Sequence, residues 1–84
     1  MTKAARLYQQ LLAKPNTIIS FRELRGLFVA FGFAERQGKG DHFNYKHPNV
    51  PPILTAQPRG KDAVPYQVKR LLAVIKEYDL HISE

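Results

Sequence analysis

Apolar residues recur along this chain with two different periods, and the change from one to the other divides it. From Thr2 to Lys14, Ala4, Ala5, Tyr8, Leu11 and Leu12 fall at helical spacing. Thr2 is placed to cap that helix, and Pro15 with Asn16 to stop it. The run SFRELRGLFVAFGF, from Ser20 to Phe33, predicts a second helix. Its Ser20 and Glu23 have the spacing of a capping box, in which hydroxyl and carboxylate each satisfy an orphan backbone N–H. Leu24, Leu27, Phe28 and Phe31 form one apolar face, and Gly32 supplies the left-handed stop. Gly26 weakens the interior of this helix and leaves room for close approach by another element.

From Phe33 the period shortens to two. FAERQGK, Phe33 to Lys39, reads as a short strand, and HFNYKH, His42 to His47, alternates strictly. Gly38, Lys39 and Gly40 join them as a glycine-bearing hairpin turn. PNVPP, Pro48 to Pro52, reads as a loop, ILTAQ, Ile53 to Gln57, as a third strand, and PRGKDAVP as a second loop. Pro65 then opens a last helix with the stripe Val68, Leu71, Leu72 and Ile75, and Leu80 packs behind it. The expected fold class is α+β: a three-stranded antiparallel sheet with helices on one face and the other face wet.

Eighty-four residues with 44% hydrophobic content make one folded domain with a modest core. The absence of cysteine excludes disulfides and zinc ribbons. No apolar run approaches the ~20 residues of a membrane span, and Met1 to Lys14 lacks a signal-peptide core. These features lead to the expectation of a cytoplasmic protein. Thirteen Lys and Arg against seven Asp and Glu give a net charge of +6, which fits a polyanion or an acidic protein.

The stretch with the most chemical content is GKGDHFNYKHP, Gly38 to Pro48. If Phe43 and Tyr45 face the core, His42 faces water with Asn44 and Lys46. An imidazole gives or takes a proton near neutral pH. RNA cleavage asks for little more, because the 2′-hydroxyl of the substrate is the nucleophile. Lys39 and Lys46 are placed to steady charge, and Gly38 and Gly40 to let a phosphodiester approach the backbone. Asp41 is next to His42 but points away in a regular strand, His47 lies on the opposite face, and His81 sits in the tail. No metal-ligand cluster, phosphate loop or serine triad stands out, so no metal and no cofactor are expected. A solvated surface histidine remains the plainer account of His42 from local sequence alone.

The same stretch is similar to the HicA toxins of bacterial toxin–antitoxin systems. That family typically has a helix ending in Gly-Phe or Gly-Trp, then a strand, Gly-Ser-His, an aromatic-bearing strand and His-Pro. The matching residues are Gly32-Phe33, Gly40-Asp41-His42, Phe43 and Tyr45, and His47-Pro48, and VPYQVKRLLAVIKEYDL resembles the last helix. The resemblance covers Ser20 to Leu80. It implies a double-stranded-RNA-binding-domain-like fold (α-β-β-β-α) over residues 20–84, with residues 1–19 as an N-terminal helical extension. It further implies an endoribonuclease of messenger RNA with His42 catalytic, Gly40 and Asp41 in the active-site loop, and a HicB-type antitoxin as partner. Candidate RNA contacts are Lys39, Lys46, Arg59 and Lys61. Two positions depart from the pattern. Asp41 stands for the usual serine and brings negative charge near an incoming phosphate, and Phe43 stands where many members carry histidine. A non-catalytic RNA-binding module and a protein-interaction domain with a basic face are the other readings the residues allow.

Overall fold

Both capping signals form in the computed structural model, which describes residues 2–82. Helix α1 spans Lys3–Ala13, and the Thr2 hydroxyl accepts the Ala5 N–H at 3.1 Å. Helix α2 spans Phe21–Ala30 behind a complete capping box: Glu23 N–H donates to Ser20 Oγ at 3.0 Å, and Ser20 N–H to Glu23 Oε1 at 2.9 Å. Gly32 takes φ +91°, a conformation that lets the chain reverse into the sheet without a Cβ clash. Gly26 has no comparable reason. A methyl group there would meet nothing within 4 Å, although glycine inside a helix costs roughly 0.5–1 kcal/mol relative to alanine.

Strands β1 (Ala34–Gln37), β2 (Phe43–His47) and β3 (Val50–Ala56) form one antiparallel sheet in the order β1-β2-β3. Pro58–Arg59 and Asp62–Ala63 pair as a small separate hairpin, β4 and β5, and α3 spans Pro65–Glu77. The molecule is therefore α+β, with helices packed on one face of a three-stranded antiparallel sheet.

The structure corrects several local expectations. PNVPP is not a loop throughout, because β3 begins at Val50 and carries Pro51 and Pro52. Pro51 and Pro52 fall between the Val50 and Leu54 pairings, where the ladder is interrupted, so their missing N–H groups break no regular pairing. A register shift between Tyr45 and His47 accommodates the early start. PRGKDAVP holds the β4–β5 hairpin, turned by Gly60 at φ +63°. Strand β1 ends at Gln37, two residues short of the run read from sequence, and β2 starts at Phe43, which leaves His42 in the turn. In α1 the buried residues are Leu7 and Leu11, while Leu12 is half exposed. In α3, Val74 is buried and Leu72 only borders the core.

One apolar core joins all three helices to the sheet. Leu7 and Leu11 of α1, Leu24, Leu27 and Phe28 of α2, Tyr45 and Leu54 of the sheet, and Leu71 and Ile75 of α3 belong to it. The Tyr45 ring stacks on Phe28 with centroids 3.8 Å apart, and Tyr8 meets Phe31 edge-on at 5.0 Å. Because Leu11 is fully buried in this shared core, Leu11→Ala should cost about 3 kcal/mol. The expected outcome is a single unfolding transition at lower temperature, read by circular dichroism. A low-temperature melt of α1 alone, with the remainder unfolding as before, would show that α1 is a separate unit.

Candidate functional site

The antiparallel register decides which loops meet. Phe43, at the start of β2, pairs with Gln37 at the end of β1 and with Ala56 at the end of β3. The turn Gly38–His42 and the β4–β5 hairpin therefore lie at the same end of the sheet. The hairpin is held against the start of α2, since Phe21 N–H donates to the Lys61 carbonyl and Ala63 N–H to the Ile19 carbonyl, each at 2.9 Å. The first turn of α3 joins them when Gln67 Oε1 accepts the Gln57 N–H at 3.2 Å.

The turn itself is tightly wired. Gly38 N–H donates to the His42 carbonyl at 2.7 Å, and His42 N–H to the Lys39 carbonyl at 3.2 Å. Gly40 takes φ +60°, the left-handed conformation that closes a turn this short. His42 Nδ1 lies 3.2 Å from the same Lys39 carbonyl. A carbonyl only accepts, so this bond places the hydrogen of a neutral imidazole on Nδ1 and leaves a lone pair on Nε2. Nε2 has no hydrogen-bond partner among the described residues, and His42 is exposed. Asp41 is exposed and does not bond the His42 ring, so the carboxylate is not its orienting group.

The register also sorts the sequence-derived candidates. Lys39, Gly40, Asp41 and His42 share one turn, and Arg59 and Lys61 are exposed on the neighbouring hairpin. Lys46 is different. It lies four residues along β2 from His42, about 13 Å away at strand rise, opposite Ala34 at the far end of β1. Arg36 was not singled out from sequence, yet it pairs with Asn44 and so shares the open face with Asn44 and Lys46. Alternation along AERQ carried that signal once the register was known. On the same face Thr55 Oγ1 donates to Asn44 Oδ1 at 3.1 Å. His47 belongs to the inner side, with its ring edge on Phe33 and its Nδ1 accepting the Asn49 N–H at 3.0 Å. His81 pairs with Asp79 on the surface.

With this geometry, the chain matches the family model described as the HicA toxin of bacterial toxin–antitoxin systems over residues 21–77, about two thirds of its length. The chain belongs to the HicA toxin family. Neither the curated proteins nor the solved structures compared with it gave a match. The matched span of this HicA toxin contains α2, both hairpins, the His42 turn and α3, whereas α1 precedes it. A toxin of this class has an antitoxin as its counterpart. Among the described residues, no helix is long and apolar enough to cross a membrane, and no three His, Asp or Glu side chains gather where a metal ion would sit.

Beneath the His42 turn of this HicA toxin, a polar clamp ties the first hairpin to α2. Arg25 donates to both Glu35 oxygens, at 2.9 and 3.0 Å, and its guanidinium lies 4.4 Å over the Phe43 ring. Tyr45 O–H donates to Glu35 Oε2 at 2.7 Å. The bond from Arg25 holds the Glu35 carboxyl below its usual range, and burial first, then the Glu35 carboxylate, raises the Tyr45 phenol. A carboxylate whose folded-state pKa is depressed adds stability that is fully present above its unfolded value and is lost as pH falls through the folded one. Stability should therefore decline below about pH 4.3, where an unfolded glutamate takes up a proton. The raised phenol acts on the other side, so stability should also fall above about pH 10, as unfolded tyrosine ionises. Glu35→Gln should remove much of the acid-side slope and destabilise the protein by about 1–2 kcal/mol at pH 7. Urea unfolding of both proteins across pH 3–7 reads this, and an unchanged acid limb would count against the clamp.

Proposed function

We propose that this HicA-family toxin is an endoribonuclease of messenger RNA, acting in the cytoplasm, with His42 as its proton-transfer group, and that a HicB-type antitoxin holds it inactive. The observation that carries this reading is the contact of His42 Nδ1 with the Lys39 carbonyl, which leaves Nε2 exposed and without a partner among the described residues, in a family of toxins. Nε2 takes the proton of a substrate 2′-hydroxyl as that oxygen bonds to the neighbouring phosphorus. The bond from phosphorus to the 5′-oxygen breaks, and that oxygen leaves with a proton from water. The products are a 2′,3′-cyclic phosphate and a free 5′-hydroxyl. Because the nucleophile belongs to the RNA, the protein supplies proton transfer and charge stabilisation, and the reading calls for no cofactor.

Lys39, Arg59 and Lys61 share the end of the sheet with His42 and are the phosphate contacts nearest the bond that breaks. Lys46 and Arg36, farther along the open face, suit nucleotides beyond it. Gly40 acts through the conformation of the turn. Asp41 favours a second reading, a non-catalytic RNA-binding module, because its exposed carboxylate neighbours His42 and would repel a phosphate brought to that side chain. That module would bind RNA in a salt-dependent way and yield no product.

His42→Ala should lower RNA cleavage by about 10²–10⁴-fold with an unchanged melting temperature, because the side chain is exposed. The check is a gel assay of RNA length with purified protein, alongside growth after induction. Cleavage at the wild-type rate by the variant would sink the assignment, and no cleavage by the wild type would favour the binding module. Asp41→Ser removes a repelling charge and should lower the KM for RNA by roughly two- to fivefold. The comparison belongs at low salt, where exposed charges are least screened.

A further inference from the structure

Three residues of this chain run against local preference, and the fold brings all three to one place. Lys3 opens α1 and Arg22 lies in the first turn of α2. Cations are disfavoured there by the helix dipole. Gly26 occupies the interior of α2, the least favourable non-proline choice, with open space where a side chain would be. Residues that break local rules without serving the fold are expected where function is served instead.

The place is a cleft of about 300 Å³ between α1 and α2, with Lys3, Ala4 and Leu7 on one wall and Arg22, Gly26 and Leu27 on the other. Neither Lys3 nor Arg22 makes an ion pair among the described residues, and both are exposed. Glu23 also borders the cleft, but its Oε1 is turned back to the Ser20 amide. Leu7 and Leu27 are already 9% and 1% exposed, so neither leucine offers a foothold to an anchoring side chain of a protein, and the exposed lining comes from the smaller residues and the aliphatic stems. What remains is a shallow floor of small side chains and aliphatic stems, with two cations that make no ion pair among the described residues at its rim. The cleft adjoins the start of α2, which is attached to the β4–β5 hairpin at the His42 end of the sheet. Arg22 follows Phe21, whose ring lies 5.6 Å from that of Phe43, the neighbour of His42, and whose amide bonds Lys61.

We propose that the α1–α2 cleft is a second RNA-backbone site, in which Lys3 and Arg22 hold phosphates and Gly26 lets the strand lie against the helix. This rests on the reading of the protein as an RNA-acting toxin. Helix α1, which precedes the family match, thereby lengthens the track along which RNA is held.

The test is binding of a 2′-O-methyl RNA of roughly a dozen nucleotides, measured by fluorescence anisotropy at several salt concentrations. Such RNA lacks the nucleophile, so binding is read whether or not His42 is catalytic. The double variant Lys3→Gln/Arg22→Gln should bind roughly five- to twentyfold more weakly near 0.15 M salt, with the log–log salt slope shallower by about 1.4. Its melting temperature should not fall, because both cations oppose their helix dipoles. Gly26→Ala should move the two readouts in opposite directions, raising the melting temperature by about 2–5 °C while weakening RNA binding. Wild-type affinity and slope in all variants would overturn the cleft and leave the His42 reading intact, as would weaker binding matched by a lower melting temperature. Variants that lose the antitoxin but keep RNA affinity would reassign the cleft to a protein contact. A wild type that binds no RNA would overturn both readings.

Discussion

Tyr45 fixes which side of the sheet is inside. Its ring stacks on Phe28 of α2, its hydroxyl bonds Glu35 of β1, and Leu54 of β3 stands opposite it in the register. Side chains in a strand alternate, so a slip of one residue would turn Asn44 and Lys46 inward and strand Tyr45 in water. The burial of one large aromatic ring thus places the whole polar row on the open face. It also sets the direction in which β2 enters the His42 turn.

The clamp of Arg25, Glu35 and Tyr45 adds direction to that burial. Apolar contact holds α2 against the sheet but says little about where along the sheet it sits. A bidentate guanidinium–carboxylate pair has a fixed geometry, and the Arg25 position over Phe43 ties it to the first residue of β2. The hairpin that ends in the His42 turn is therefore attached to the helix layer just below the turn. The start of α2 is attached to the β4–β5 hairpin at the same end. Lys39, His42, Arg59, Lys61 and Arg22 come from distant parts of the sequence and are gathered by these two attachments.

Charge and stability pull against each other at this end. A net charge of +6 on a chain of this size repels itself, and Lys3, Arg22 and Gly26 each forgo a little helix stability. The shared core, including α1, offsets these costs. An appended helix can then place a further cation beside α2 without weakening the domain, provided Leu7 and Leu11 stay buried.

Local chemistry was legible in the sequence by itself. The capping box at Ser20, the left-handed Gly32, Pro65 at the head of the last helix and the alternation of Phe43, Asn44, Tyr45 and Lys46 each follow from rules that act over a few residues. They were enough to establish the α+β class, and the motif around His42 was enough to point to the family. The tertiary structure decided what depends on pairing between distant segments. Pro51 and Pro52 sit in a strand because they fall where the β2–β3 register shifts, and the hairpin within PRGKDAVP is docked by its bonds to the start of α2. Glu35 meets Arg25 ten residues away in the chain, Arg36 joins the open face, and Lys46 is carried away from His42. Propensity and period describe a residue and its neighbours in sequence. Register and helix docking are set by burying the whole apolar surface at once, and only that burial determines which cations stand together.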